Sequence, residues 1–345
     1  MFVQLAKHNL GDGRLTLKIK ISLFLLALSH VLPCTSNAAT TDINNTEIRQ
    51  KAKVFGTIPE RMPHSGADTA QQIALGKMLY FETALSVNRT QSCNSCHNLL
   101  NGGHGVDHLK TPTGATGVIL RRNAPSTFNA GFQHAQNWDS VVSTLEAQAQ
   151  RVLLSPDEMA LPSEAVAVQR VKDKYLAAFE KAFPNSPEPV SFANIAAALA
   201  AFQRTLITED RFDQFIAGND NALTITEKKG FLQFLRKGCA ACHSGPMMGG
   251  QFDMKIGLVI PYPNTQDKGI AEITGRQSHE YLFKVPILRN VANTWPYFHD
   301  GQGSSLEDAV FLTGWHQLGQ KMNDQEVTEI SAFLRSLNNT KPYKD

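Results

Sequence analysis

Apolar residues recur at helical spacing in several segments of this chain. Leu75, Met78 and Leu79 share one face of a predicted helix over residues 68–81, which Asp68 can cap. The same spacing predicts helices over residues 193–206 and 226–236, and one that starts at Asn323. Strand-like alternation is sparse, and the Gly-, Pro-, Thr- and Asn-rich residues 102–117 and 245–275 predict loops. The pattern therefore predicts a mainly α-helical protein.

Residues 1–39 have the pattern of a secretory signal peptide. Basic residues precede the apolar run 21–28, and small residues at 36–39 permit cleavage after Ala38 or Ala39. A lipoprotein signal ending at Cys34 is the alternative, although Pro33 makes a poor processing site. The run is too short to span a bilayer comfortably, and no later segment has about 18 consecutive apolar residues. We therefore expect an exported protein without a membrane span.

Charge excludes one class of partner. The formal net charge is +2 for the 345 residues, and it falls to −1 when the four Lys or Arg and the one Asp of residues 1–39 are removed. No basic patch of the kind that binds nucleic acid is present in the sequence. The remaining length is sufficient for two domains.

Two copies of Cys-x-x-Cys-His contain every cysteine that remains after the predicted signal peptide. The two thiols of each motif can add across the vinyl groups of a haem, and the histidine can bind its iron. The alternative for one such motif is a redox dithiol or half of a zinc site. Two copies closed by His, with no spare Cys, favour two covalently bound haems c. Their residues are Cys93, Cys96 and His97, and Cys239, Cys242 and His243.

The order of motifs and helices predicts how the chain is divided. A predicted helix leads into each haem motif, so one haem in each of two helical domains is expected. Bacterial haem c attachment takes place outside the cytoplasm, which agrees with the predicted signal and indicates the periplasm.

At this point the chain resembles the bacterial di-haem cytochrome c peroxidases and their MauG-type relatives, over essentially all of residues 60–340. In that family two cytochrome c-like helical domains each hold one covalently bound haem c. The resemblance implies a peroxidatic domain over residues 40–208 and an electron-transfer domain over residues 209–345. The segments that carry it are LGKMLYF (75–81), RNAPS (122–126), WD (138–139), SPDEM (155–159), FKVPILRN (283–290), PYFHDG (296–301) and HQLG (316–319).

The resemblance also implies roles for individual residues. His97 would bind the iron at the peroxide site, with Glu158 as the acid–base residue and Gln148 beside it. His243 would bind the second iron, and Trp138 would lie between the haems. From sequence alone, residues 155–158 also match a helix capping box with Ser155 as N-cap, and a tryptophan is usually core packing.

A calcium ion between the domains is a further implication. Asn123, Thr294 and Pro296 match its protein ligands, the last two through backbone oxygen. Oxygen ligands suit calcium. On sequence alone, Asn123 before Ala-Pro is an ordinary turn residue.

The chain departs from the family at the loop after the first haem motif. Many members carry a histidine there that blocks the peroxide site in the oxidised state, and the corresponding position falls near residues 113–115. Neither Thr113 nor Ala115 is histidine, while His104 and His108 lie nearer the motif. We expect the first iron to be five-coordinate or water-bound, so that no reductive activation is needed.

A second departure concerns the sixth ligand of the second haem. The peroxidases have Met and MauG-type proteins have Tyr at the position of Thr313. Loss of Met predicts a lower potential. His316, one helical turn further on, is a candidate replacement, although a second-shell or surface role is the alternative. Further candidates are Met322, Met254 and Met247.

Three functions fit these residues. The first is reduction of hydrogen peroxide with electrons from a small periplasmic cytochrome c or a blue copper protein (cupredoxin). The second is a MauG-like oxidation of a partner protein through a high-valent state. The third is a non-catalytic electron carrier, for which Glu158 and Gln148 would be incidental. Family members are often dimers, so a homodimer is also expected.

Overall fold

Helices dominate residues 44–343, which are the part of the chain that the computed structural model describes. The mainly α-helical class is therefore confirmed, and the signal-peptide prediction for residues 1–39 lies outside the described residues. The helices are α1 (Asn45–Ala52), α2 (Ala70–Tyr80), α3 (Cys93–Cys96), α4 (Leu145–Leu154), α5 (Glu164–Ala182), α6 (Phe192–Gln203), α7 (Arg211–Ile216), α8 (Ile225–Arg236), α9 (Ala271–Thr274), α10 (Leu306–Leu318) and α11 (Asp324–Ser336).

One short sheet accompanies these helices. The strands β1 (Asp253–Lys255) and β2 (Leu282–Lys284) pair antiparallel, with Asp253 opposite Lys284. The segment 245–275 was predicted as a loop, and it contains β1 and α9. Both elements are too short, at three and four residues, to show a periodic pattern in the sequence.

The helix predictions are confirmed, with one correction at α2. Its N-cap is Thr69, whose hydroxyl accepts from the Gln72 backbone N–H at 3.2 Å while the Gln72 side chain accepts from the Thr69 N–H at 2.9 Å. The prediction that Asp68 caps this helix is wrong. Asp68 instead accepts two hydrogen bonds from Arg204, at 2.6 and 2.7 Å.

The capping box considered for residues 155–158 is also wrong. Ser155 is the C-cap of α4, and the residues that follow form turns and not a new helix. Glu158 therefore caps no helix, although its carboxylate interacts with the Ser155 side chain.

Two apolar cores lie in the described part of the chain. The first is formed mainly by α2, α4, α5 and α6, and the second by α1, α7, α8, α10 and α11. Phe55, just after α1, lies in the second core with its ring 5.7 Å from that of Phe231. Conversely, Tyr343 near the carboxyl terminus contacts the first core, 6.3 Å from the Phe202 ring. The start of the described chain thus packs in the second core, and its end packs against the first. The domain boundary between residues 208 and 209 stays a prediction.

Both cores contain the same close helix crossing. Gly76 of α2 contacts α6, and a Cβ at this position would lie 1.8 Å from the Ala198 carbonyl oxygen. Gly230 of α8 contacts α11 in the same way, where a Cβ would lie 1.8 Å from the Glu329 carbonyl oxygen. Only glycine permits backbones to approach this closely. The helix that leads into each Cys-x-x-Cys-His motif is thus positioned by one glycine.

Buried ion pairs link residues that are far apart in the sequence. Arg122 binds both carboxylate oxygens of Asp267, at 2.7 and 2.8 Å, and also pairs with Asp139. Paired and hydrogen-bonded charges of this kind are the form in which charge is tolerated in a protein interior. The Arg122–Asp267 pair connects the segment before α4 to the loop before β2.

Candidate haem sites

The first haem motif lines a cavity of about 560 Å³. The α3 turn holds Cys93 and Cys96, and the His97 backbone N–H closes it on the Cys93 carbonyl at 3.0 Å. The His97 Nδ1 lies 3.3 Å from the Gly105 carbonyl oxygen, and burial lowers the pKa of the ring. A neutral imidazole with Nδ1 held by a backbone carbonyl presents Nε2 as the metal ligand.

The second motif repeats this arrangement in a cavity of about 280 Å³. The His243 N–H bonds the Cys239 carbonyl at 3.0 Å, and its Nδ1 lies 3.0 Å from the Met248 carbonyl oxygen. Burial again lowers the pKa of the histidine. Cys242 lines the same cavity.

The surroundings of these motifs fit haem better than the alternative sites. Burial raises the pKa of the Cys93 thiol to about 12 and that of Cys239 to about 11, whereas reactive redox dithiols need lowered pKa values. Among residues 44–343, no group of three His, Cys, Asp or Glu side chains is arranged to hold a metal ion. His299, which is 1% exposed, lines the second cavity with neither ring nitrogen hydrogen-bonded. A polar ligand group at this wall, such as a haem propionate, would satisfy it.

Glu158 and Gln148 line the same cavity as Cys93, Cys96 and His97. Gln148 extends from α4, and Glu158 lies in the turn that follows this helix. Burial raises the pKa of Glu158, while a hydrogen bond with the Ser155 side chain and the Arg151 guanidinium, 3.5 Å from Glu158 Oε2, oppose the shift. A half-buried carboxyl group with a raised pKa is suited both to accept and to return a proton.

The loop at residues 113–118 packs against the Glu158 turn. The Ala115 N–H donates to the Glu158 carbonyl at 2.7 Å, and a Cβ on Gly114 would lie 1.8 Å from the Asp157 carbonyl oxygen. Among the described residues that line the first cavity, His97 is the single histidine.

The two other loop histidines lie outside this cavity. The His108 ring stacks on that of Trp295 with centroids 4.3 Å apart, and its Nδ1 lies 2.9 Å from the Trp295 carbonyl oxygen. The His104 carbonyl accepts from the Ser126 hydroxyl. Neither His104 nor His108 is among the described residues that line the first cavity.

Trp138 lines both cavities. Its indole N–H donates to the Asn123 carbonyl at 2.9 Å, and its own carbonyl accepts from the Lys284 backbone N–H at 2.8 Å. These bonds fix a half-buried aromatic ring in the wall between the two sites. Trp138 therefore packs in a wall common to both cavities, and its place between the haems stays a prediction.

The three candidate calcium ligands line the wall of the second cavity. The Asn123 amide nitrogen donates to the Leu109 and Lys110 carbonyls, at 3.0 and 3.3 Å, which leaves its oxygen free to face a cation. The Thr294 hydroxyl donates to the Val291 carbonyl at 2.9 Å. Pro296 follows Trp295 through a cis peptide bond.

His316 does not line the second cavity, although Thr313 does. The His316 Nδ1 lies 3.0 Å from the Ile260 carbonyl oxygen, and its ring packs against Tyr262 at 5.4 Å. This placement corrects the expectation that His316 is the sixth ligand, because the helical turn from Thr313 to His316 directs the histidine towards the 258–262 segment. Met254 and Met322 do line the cavity, and Met247 does not.

Two residues in the cavity walls had no role assigned from the sequence. His299 and Lys284 lie in the segments PYFHDG and FKVPILRN, and both are almost fully buried. A lone His or Lys has no sequence pattern that predicts burial. The one indication of a role for these two residues was their place in segments that match the family.

Comparisons with known proteins agree with this geometry. The family model of the di-haem cytochrome c peroxidases matches residues 70–221, and the cytochrome c model matches residues 227–338. A cytochrome c551 peroxidase from Pseudomonas aeruginosa is 40% identical over 302 residues, covering 85% of this chain and 86% of that protein. A methylamine utilization protein MauG from Methylorubrum extorquens is 35% identical, covering 89% and 90%.

A solved structure is similar as well. The crystal structure of a MauG-like protein associated with microbial copper homeostasis has a TM-score of 0.72 and 29% identity, covering 82% of this chain and 93% of that one. Each of the two matched segments of this chain contains one Cys-x-x-Cys-His motif, and each motif lines its own cavity. The chain therefore belongs to the di-haem cytochrome c peroxidase family.

Proposed function

We propose that this chain is a periplasmic peroxidase that reduces hydrogen peroxide to water, with electrons from a small cytochrome c or a cupredoxin. The observation that carries the proposal is the common cavity of Glu158, Gln148 and the first haem motif. The overall reaction consumes one peroxide, two electrons and two protons and forms two waters. Bound haem would supply the electrons and an iron that receives a peroxide oxygen.

The residues of this chain would move the proton and orient the substrate. A Glu158 carboxylate oxygen takes a proton from one peroxide oxygen and delivers it to the other, so that the O–O bond breaks heterolytically. The Gln148 amide donates a hydrogen bond that orients the peroxide. Arg151 keeps the ionised form of Glu158 accessible despite its burial.

The most direct test is steady-state turnover of peroxide with a reduced cytochrome c. Fast turnover is the expected result. Slow turnover with a stable high-valent state would favour the MauG-like alternative, which Thr313 in the wall of the second cavity supports. If peroxide is not consumed at all, the remaining function is that of a non-catalytic electron carrier.

We also propose that the protein is a homodimer, and sedimentation velocity would test this.

The oxidised protein is expected to react without prior reduction, because the described lining of the first cavity contains no histidine besides His97. Mixing it with peroxide and reduced cytochrome c should start turnover without a lag, at the initial rate of a pre-reduced sample. A lag that pre-reduction removes, or a low-spin bis-histidine spectrum of the first haem, would contradict this expectation.

Replacing Trp138 by Leu is expected to slow electron transfer between the haems about tenfold, equivalent to about 1.4 kcal/mol of barrier. The reason is the loss of an aromatic ring that lines both cavities. Stopped-flow re-reduction of the first haem after a peroxide pulse measures the rate. Trp315→Leu is the control, because Trp315 is 38% exposed and lines neither cavity. Equal rates in the two variants would argue against the role.

We further propose that calcium binds between the two haem regions through Asn123, Thr294 and Pro296, which share one cavity wall. A ligand present at 100 times its Kd stabilises the folded state by about 2.7 kcal/mol. Removing calcium with EGTA should therefore lower the melting temperature by several degrees. Re-addition of calcium should restore it, while magnesium should not. A melting temperature unaffected by EGTA would count against the site.

A further inference from the structure

Lys284 is a buried cation in the wall between the two haem cavities. It is the last residue of β2, is 5% exposed, and lines both cavities together with Trp138. The ammonium group donates to the Ala135 carbonyl at 2.8 Å. The backbone N–H of the same residue bonds the Trp138 carbonyl, so the lysine is held beside the tryptophan that separates the cavities.

The surroundings of this ammonium group differ from those of the buried and half-buried arginines, and resemble those of Lys228, which also donates to a backbone carbonyl. Arg122 pairs with Asp139 and Asp267, and Arg289 pairs with Asp210 at 2.6 Å. Among residues 44–343, no carboxylate forms an ion pair with Lys284, and its described hydrogen-bond acceptor is the single Ala135 carbonyl.

Burying a charge without a counterion is costly, and in the protein alone it lowers the pKa of Lys284 to about 7. Asp253 and Asp139 oppose this shift, and Asp139 is itself paired with Arg122. The buried ring of His299 lines the second cavity as well. An ammonium group enclosed in this way indicates an anionic ligand that the polypeptide itself does not provide.

We propose that Lys284 binds a haem propionate at the wall shared by the two cavities. Haems held at Cys93 and Cys96, and at Cys239 and Cys242, would occupy the two cavities that Lys284 also lines, and their propionates would supply the anionic groups. A carboxylate beside the ammonium group restores its charged form and forms a charge-assisted hydrogen bond. This inference rests on haem binding and not on the peroxidase reaction, so it can fail or succeed independently of the proposed function.

A fixed positive charge at a propionate would affect the reduction potential of the iron as well as the position of the propionate. Reduction lowers the positive charge of the haem, so a nearby cation stabilises the reduced form and raises the reduction potential. Lys284 is thus a positioning residue, which sets the driving force for electron transfer past Trp138 without contacting the reacting atoms.

The test is a spectroelectrochemical titration of both haems in the holoprotein. Lys284→Met should shift the one-electron reduction equilibrium of at least one haem about tenfold or more towards the oxidised form, equivalent to about 59 mV. Lys284→Arg, which keeps the charge, should shift it by less than half as much. Lys255→Met is the matched control, because Lys255 is an exposed lysine on the partner strand β1.

A second readout reports on the contact itself. Resonance Raman bands of propionate bending modes respond to hydrogen bonding, and they should change in Lys284→Met and stay unchanged in Lys255→Met. The proposal is overturned if both potentials of Lys284→Met shift no more than those of the control. If Lys284→Met does not accumulate with two haems, Lys284→Gln, which removes the charge but keeps hydrogen-bonding capacity, is judged by the same criteria.

Discussion

Replacing Glu158 by Gln is expected to slow peroxide reduction about a hundredfold or more, the range of a lost general acid–base group. The substitution keeps the size and the hydrogen-bonding atoms of the side chain but removes its ability to take a proton. Stopped-flow measurement of peroxide consumption, with haem content matched to the wild type, gives the rate. Glu164→Gln is the control, because Glu164 is exposed in the first turn of α5. A rate within twofold of the wild type would exclude the acid–base role.

The pH profile gives an independent check on the same residue. Burial raises the pKa of Glu158 above its ordinary 4.5, so the carboxylate is protonated at higher pH than an exposed glutamate. The ionised form is the one that accepts the peroxide proton. The value of kcat/KM should therefore fall as the pH is lowered through this raised pKa, and the acid limb should disappear in Glu158→Gln.

Replacing Gly230 by Ala is expected to destabilise the protein by about 2 kcal/mol or more. Helix propensity alone favours alanine by about 1 kcal/mol, but overpacking at a close contact costs up to about 3 kcal/mol or more. The added Cβ would lie 1.8 Å from the Glu329 carbonyl oxygen and 2.9 Å from Phe333 Cβ, so α8 and α11 must separate. Urea unfolding followed by circular dichroism measures the change in the free energy of unfolding.

The equivalent glycine of the first core provides a replicate of this experiment. Gly76→Ala should have a comparable effect, because its Cβ would lie 1.8 Å from the Ala198 carbonyl oxygen and 2.9 Å from Phe202 Cβ. Gly66→Ala is the control, since no atom lies within 4 Å of a Cβ built there. If the free energy of unfolding is unchanged by alanine at both Gly76 and Gly230, the helix pairs can separate without loss of stability, and the prediction is wrong.

Local sequence patterns predicted the helices well and their ends less well. The apolar stripe of α11 and its Asn323 cap depend on residues within a few positions of one another, and both were predicted correctly. Asp68 was misassigned as a cap because its actual partner, Arg204, is 136 residues away in the sequence. Ser155-Pro156-Asp157-Glu158 matched a capping box but follows a helix, since α4 ends there.

In the candidate sites, too, features set by neighbouring residues were predicted, and features set by distant contacts were not. Each Cys-x-x-Cys-His motif lines a cavity, and its histidine is positioned by a turn closed within the motif itself. The contacts of His316 could not be predicted. One helical turn separates it from Thr313, but the direction in which each side chain points depends on how α10 packs against residues 258–262.

The sequence by itself determined the cofactor chemistry and the helical class, because covalent attachment and periodic burial depend on residues close together along the chain. The inequality of the two sites was implied by the family resemblance. Tertiary structure alone decided which polar groups share a cavity. It placed Glu158 and His97 in one cavity, put Trp138 and Lys284 in the common wall, and left His316 outside the lining of the second cavity. Those outcomes depend on the burial of charge and on contacts between distant segments, such as Lys284 with Ala135, 149 residues apart.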